Sequence, residues 1–93
     1  MITESHVEQM KRRLKIFHDG EDEHIESLLE ESYKELSERC GFDDLSDTRA
    51  KELVFERARY AYNDSLEFFN DNFLSMITSL SIKYLDVSDN ENI

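Results

Sequence analysis

The stretch YNDSLEFFNDNF, Tyr62 to Phe73, sets four aromatic rings and two Asn-Asp dipeptides into twelve positions, in a chain with no proline and no tryptophan. How it is read decides the second half of the fold. An apolar stripe of Phe55, Ala58, Tyr62, Leu66, Phe69, Phe73, Ile77, Leu80 and Tyr84 keeps three- and four-residue spacing straight through it. Periodicity alone allows one very long helix, but the lengths usual in small domains argue against it. Asn70, Asp71 and Asn72 are weak helix formers and good caps, because their short polar side chains compete for backbone hydrogen bonds. The break is therefore placed at 70–72, with a third helix over 47–69 and a fourth over 73–85. Tyr62, Leu66, Phe69 and Phe73 then read as one packing seam, and the Asn-rich turn as a hinge to a C-terminal docking element. Phe68, on the other face, reads as a ring left for a neighbour.

Upstream, the stripes are simpler. Thr3 or Ser5 can cap a first helix over 4–18, and Ser5 with Glu8 has the capping-box spacing. Val7, Met10, Leu14 and Phe17 give this helix its apolar face, and His18-Asp19-Gly20 ends it. A second helix over 22–40 starts among carboxylates that suit the positive end of its dipole. Ile25, Leu28, Leu29, Ser32, Tyr33, Leu36 and Cys40 trace its buried side, and Gly41 follows as a left-handed closing residue. FDDLSDT connects it to the third helix, with Ser46, Asp47 or Thr48 as cap. The fold expected is all-α, a compact bundle of about four helices forming one domain over 1–85, with a flexible acidic tail over 86–93.

Composition narrows the function. A chain of 93 residues supports one core, and two glycines without proline leave few of the breakers that an all-β fold needs. The net charge of -11, from 22 acidic and 11 basic residues, works against gripping nucleic acid phosphates or an anionic membrane. The charge is also split. Lys11, Arg12, Arg13 and Lys15 precede a run from Asp19 to Glu31 that holds seven carboxylates and no Lys or Arg. This reads as a solvated surface or as the two halves of a head-to-tail contact between copies. Cys40 has no partner for an internal disulfide, and no long apolar run marks a leader or a membrane span. A cytoplasmic protein is expected.

His6, His18 and His24 lack metal-ligand spacing, and HDGEDE resembles a calcium loop in composition only. No nucleophile–base pair and no phosphate-cradling glycine loop occurs, so neither an enzyme nor a cofactor is expected. The positive signal is apolar surface. The third helix has Phe55, Ala58, Tyr62, Leu66 and Phe69 on one face and Val54, Ala61, Ser65 and Phe68 on another. The fourth has Phe73, Met76, Ile77, Leu80 and Tyr84, flanked by Leu74, Ile82 and Leu85. A helix apolar on more than one side is central to its bundle or docks a partner.

SHVEQMKRRLKI, DGEDEHIESLLEESYKEL, the CGF turn and LVFERARYAYNDSLEFFNDNFLSMITSLSIKYL, in that order, resemble the head–tail connector proteins of tailed bacteriophages, a small all-helical family also labelled DNA-packaging proteins. The likeness runs from Ser5 to Leu85. It implies a structural protein that forms a ring of about twelve copies under the portal vertex, a closed head-to-tail assembly. The implied partners are the portal protein and the next connector or a tail-completion protein. Double-stranded DNA would pass through without specific binding, and no membrane would be involved. The implied location is the host cytoplasm during assembly and then the head–tail interface of the virion. For the contacts, Lys11, Arg12, Arg13 and Lys15 of one copy are expected to face Glu23, Glu26 and Glu30 of the next. Phe68, Met76, Leu80 and Tyr84 are expected to meet a neighbour or the portal. The alternatives are an acidic DNA-mimic inhibitor and a small regulatory domain with an exposed aromatic groove.

Overall fold

Local chemistry sets each helix end. Thr3 caps α1 (Glu4–Leu14): its Oγ1 accepts from the His6 backbone N–H at 3.3 Å, and His6 Nδ1 accepts from the Thr3 N–H at 3.0 Å. Histidine thus plays the reciprocal part that Glu or Gln plays in a capping box, and the Ser5–Glu8 box is not the one formed. In this computed structural model, which describes the backbone of residues 1–92 and the side chains of residues 1–85, α1 stops four residues short of the expected 18. Lys15 is left-handed, with φ 61 and ψ 42, and Ile16 N–H bonds back to Lys11 O at 2.9 Å. Phe17 therefore leaves the stripe and stands in solvent, 86% exposed.

The second helix, α2 (Asp22–Cys40), has the bounds expected from its unbroken stripe. Gly41, at φ 93, closes it with an N–H bond to Ser37 O at 2.8 Å. A Cβ at this position would also lie 3.3 Å from Tyr84 Cβ, a tight approach that adds to the backbone's preference for glycine. Asp47 caps α3 (Thr48–Tyr62), accepting from the N–H groups of Arg49 at 2.9 Å and Ala50 at 3.3 Å.

The decisive stretch breaks at both of its Asn-Asp pairs, at the second as expected and also at the first. Asp64 is left-handed at φ 57, and Ser65 N–H bonds to Tyr60 O at 2.8 Å. Residues 66–72 then form a 3-10 turn (Leu66–Phe68) and the single-turn α4 (Phe69–Asn72), before α5 (Leu74–Asn92). The break rotates the phase of the stripe. Tyr62 drops out of the seam and donates its hydroxyl to Glu21 at 2.9 Å, while Leu66 is left exposed. Tyr60 takes its place, edge-on to Phe69 and Phe73 with ring centres 5.7 Å away from each, and Phe69 stacks on Phe73 at 5.1 Å. These offset and edge-on arrangements are the ones that aromatic quadrupoles favour.

Among the described residues the chain is all-helical. The α2–α3 pair is the spine; α1 packs on α2, and α5 packs on both α2 and α3. Ala50, Leu53, Val54, Phe55 and Ala58 are all buried, so the two-sided apolar character of α3 is absorbed within the subunit. The body measures 51 × 26 × 16 Å. Ile77 and Leu80 complete the core, so α5 is part of the packed domain and no detachable arm. Removing everything after Asn72 would open the core instead of leaving a folded body. The expectation of a flexible tail over 86–93 falls outside the residues whose side chains are described. No helix among the described residues is long and apolar enough to cross a membrane.

Candidate assembly surfaces

The basic cluster divides. Lys11 is buried, and its Nζ lies 2.9 Å from Asp19 Oδ1 and 2.9 Å from Asp22 Oδ1. The Asp22 contact is ionic and poorly aligned for a hydrogen bond. Together the two carboxylates hold the Lys11 ammonium well above the usual lysine range, Asp22 more than Asp19, and Lys11 in turn pulls the Asp19 carboxyl down. Arg13 forks onto Glu52 at 3.0 and 3.1 Å and reaches Glu56 at 2.8 Å, while Arg59 binds Glu56 from the other side at 2.7 Å. Lys11 and Arg13 are thus spent inside the subunit, contrary to the expected role of all four cations between copies. They brace α1 against α2 and α3. Arg12 and Lys15 remain exposed, with no ion pair among the described residues, and so do Glu23, Glu26 and Glu30 on α2.

The expected apolar contacts divide in the same way. Phe68 is 57% exposed and Met76 lies at the surface, but Leu80 is fully buried. Tyr84 is half-buried, and its hydroxyl donates to Asp47 Oδ2 at 2.9 Å. Leu80 and Tyr84 therefore hold α5 to its own subunit, because they share the inner face with Ile77. Asp47 is the anchor: it caps α3, pairs with Lys83 at 2.6 Å and receives Tyr84. Lys83 above all, with Tyr84 and the cap N–H groups, lowers its carboxyl to about 2. On the outer face of α5, Leu74, Ile82 and Leu85 stay more than half exposed, at 54%, 51% and 57%. The most exposed ring is Phe17, which the sequence reading assigned to the first helix; the signal for its release was the Lys11–Asp19–Asp22 triangle, visible only in three dimensions.

The surface of the described residues carries shallow grooves. One, of about 120 Å³, lies between the α1 and α2 carboxylates Glu4, Glu8, Asp22, Glu23 and Glu26. A second, of about 310 Å³, sits at the carboxyl end of α2 against α5. A third, also of about 310 Å³, is lined by Arg49, Ser75, Met76 and Ser79. Among the described residues, no three or more His, Cys, Asp or Glu side chains are arranged to hold a metal ion. No family model, curated protein or solved structure matches the chain.

Proposed function

We propose that this chain is a structural head–tail connector of a tailed phage. About twelve copies form a closed ring beneath the portal, extend the DNA channel and support the next connector or the tail. The observation that carries this reading is the apolar surface that one subunit leaves uncovered: Phe17, Phe68, Leu74, Ile82 and Leu85 are each more than half exposed on a domain of 93 residues. Apolar side chains scattered singly are ordinary on a surface, but Leu74, Ile82 and Leu85 share the outer face of α5, and an apolar patch of that kind marks an interaction surface. The resemblance to phage connectors, from Ser5 to Leu85, supplies the kind of assembly. The acidic surface suits a passage through which phosphates slide without being held. Contacts between copies then fall to Arg12 and Lys15 against exposed carboxylates such as Glu23, Glu26 and Glu30, and to Phe68, Met76 and the outer face of α5. The far end of α5 and the residues beyond it are assigned to the portal.

Electron microscopy of the protein alone and mixed with portal particles tests the reading. A ring with a central hole, stacked on the portal channel, is the expected image. Portal particles without added density, together with inhibition of a DNA-binding enzyme by the isolated protein, would favour the DNA-mimic alternative instead.

A further inference from the structure

The loop between α1 and α2 presents an aromatic ring in an unusual way. Phe17 is the most exposed large hydrophobic side chain described, at 86%. Its loop is nonetheless braced on both sides: Lys15 is locked left-handed with Ile16 N–H bonded to Lys11 O at 2.9 Å, and the buried Lys11 ammonium holds Asp19 at 2.9 Å. A ring held out on a braced loop has already met much of the ordering cost that binding would demand. Arg12 and Lys15, the two cations of the cluster without an ion pair among the described residues, lie within five positions of it.

At the other end of α2 is a matching concavity. The groove of about 310 Å³ is lined by Glu38, Cys40, Gly41, Ser81, Tyr84 and Leu85. Of these, Cys40 is buried, Tyr84 is half-buried and Leu85 is 57% exposed. Glu38 is exposed, and so are Asp43 and Asp44, two and three residues after Gly41. Arg39 also lines the groove, but its guanidinium donates to Asn70 Oδ1 at 2.9 Å.

Knob and groove lie at opposite ends of a 19-residue helix, about 28 Å apart along its axis. One subunit cannot satisfy both by itself, whereas a second copy can. We propose that Phe17 of one copy inserts into the groove at the carboxyl end of α2 of a second copy, with Arg12 and Lys15 facing Glu38, Asp43 and Asp44. Such a contact closes reciprocally when two copies lie antiparallel, and propagates to a closed ring or an open filament when it runs head to tail, which is the arrangement the assembly proposed above requires. The inference names the contact for the assembly proposed above. It rests on that reading only for closure into a ring.

Disulfide trapping tests it. In a Cys40→Ser background, chains carrying His18→Cys, which keeps the Phe17 ring, are mixed with chains carrying Ser81→Cys under mild oxidation. The mixture is expected to give a cross-linked dimer between the two chains, and the doubly substituted chain a ladder of multimers where the contact runs head to tail or a doubly linked dimer where it is reciprocal. In the otherwise native chain, Phe17→Ser is expected to weaken self-association by about tenfold or more while leaving the helical circular dichroism spectrum unchanged. No dimer in the mixture, or Phe17→Ser chains that associate as the native chain does, overturns the inference. Rings on the portal without the cross-link would leave the connector reading standing and remove this contact. A ladder without portal binding would do the reverse.

Discussion

Two turns in this chain break an apolar stripe by the same device and hold the result by opposite means. The turn after α1 has Lys15 in the left-handed region at φ 61, and the turn after α3 has Asp64 there at φ 57. Each interrupts a periodic helix pattern, and each leaves aromatic side chains outside the core, Phe17 in the first case and Phe68 in the second. The first turn is held by charge, through one buried ammonium between two carboxylates. The second is held by rings, through Tyr60, Phe69 and Phe73, with Phe69 only 2% exposed. The ion cluster can lend the 92% exposed Asp19 carboxylate to water while Asp22 keeps the buried Lys11 paired, whereas a stacked buried ring has no alternative partner. The ring-held joint should therefore carry the stability of the fold, and the charge-held loop its presentation to a neighbour.

Substitutions can break that contrast in order of size. Phe69→Ala should be the most damaging, costing about 3–5 kcal/mol in denaturant unfolding, because it empties the stack that docks α5. Asp47→Ala, on the same packed side, should cost about 1–2 kcal/mol for the lost cap alone. The anchor also gives a pH signature. The Asp47 carboxyl sits at about 2 in the folded protein, below its ordinary value of 3.8, so the folded state binds its proton less readily than the unfolded chain. Its contribution is fully present above the ordinary value and is lost as pH falls from about 4 through 2. Asp47→Asn, which can still cap, should flatten that part of the acid unfolding profile; a profile identical to the native one would contradict the assignment.

Lys11→Met should act more weakly on stability, lowering the melting temperature by roughly 4–8 °C, and more strongly on the loop. Limited proteolysis at residues 15–21 should accelerate while cleavage near residues 63–73 does not. Equal acceleration at both turns would mean that they are not held independently. The smallest effects belong to Lys15→Gly and Asp64→Gly. Each relieves a left-handed strain and adds backbone freedom to the unfolded chain, so each should change stability by no more than about 1 kcal/mol.

The same contrast explains what could be read from residues alone. The bounds of α2 were legible because its stripe is uninterrupted and Gly41 follows it directly. The all-helical class was legible for equally local reasons, and the cap of α3 was narrowed to Ser46, Asp47 or Thr48, of which Asp47 forms it. The end of α1 was not legible, since nothing between Leu14 and Phe17 disfavours helix; Lys15 turns left-handed in a structure where Lys11 is drawn inward to Asp19 and Asp22. The joint was legible only in part: the break at the second Asn-Asp pair was placed, and the further break at the first was not. Packing of Tyr60 against Phe69 and Phe73 accompanies that first break. The surplus of apolar surface was visible, but its division was not: α3 uses both faces internally, Leu80 and Tyr84 turn inward, and Phe17 turns out. Of the cation cluster, half became scaffold because carboxylates distant in sequence, Glu52 and Glu56 for Arg13, come within reach only in the folded chain.

The claim that this surface exists to be covered by further copies is tested most directly by mass in solution, with and without portal particles. Native mass spectrometry of the chain, 11.1 kDa as a monomer, should show multiples that grow with concentration and converge on one closed stoichiometry when portal is present. A single 11.1 kDa species at every concentration, unchanged by portal, would contradict the account.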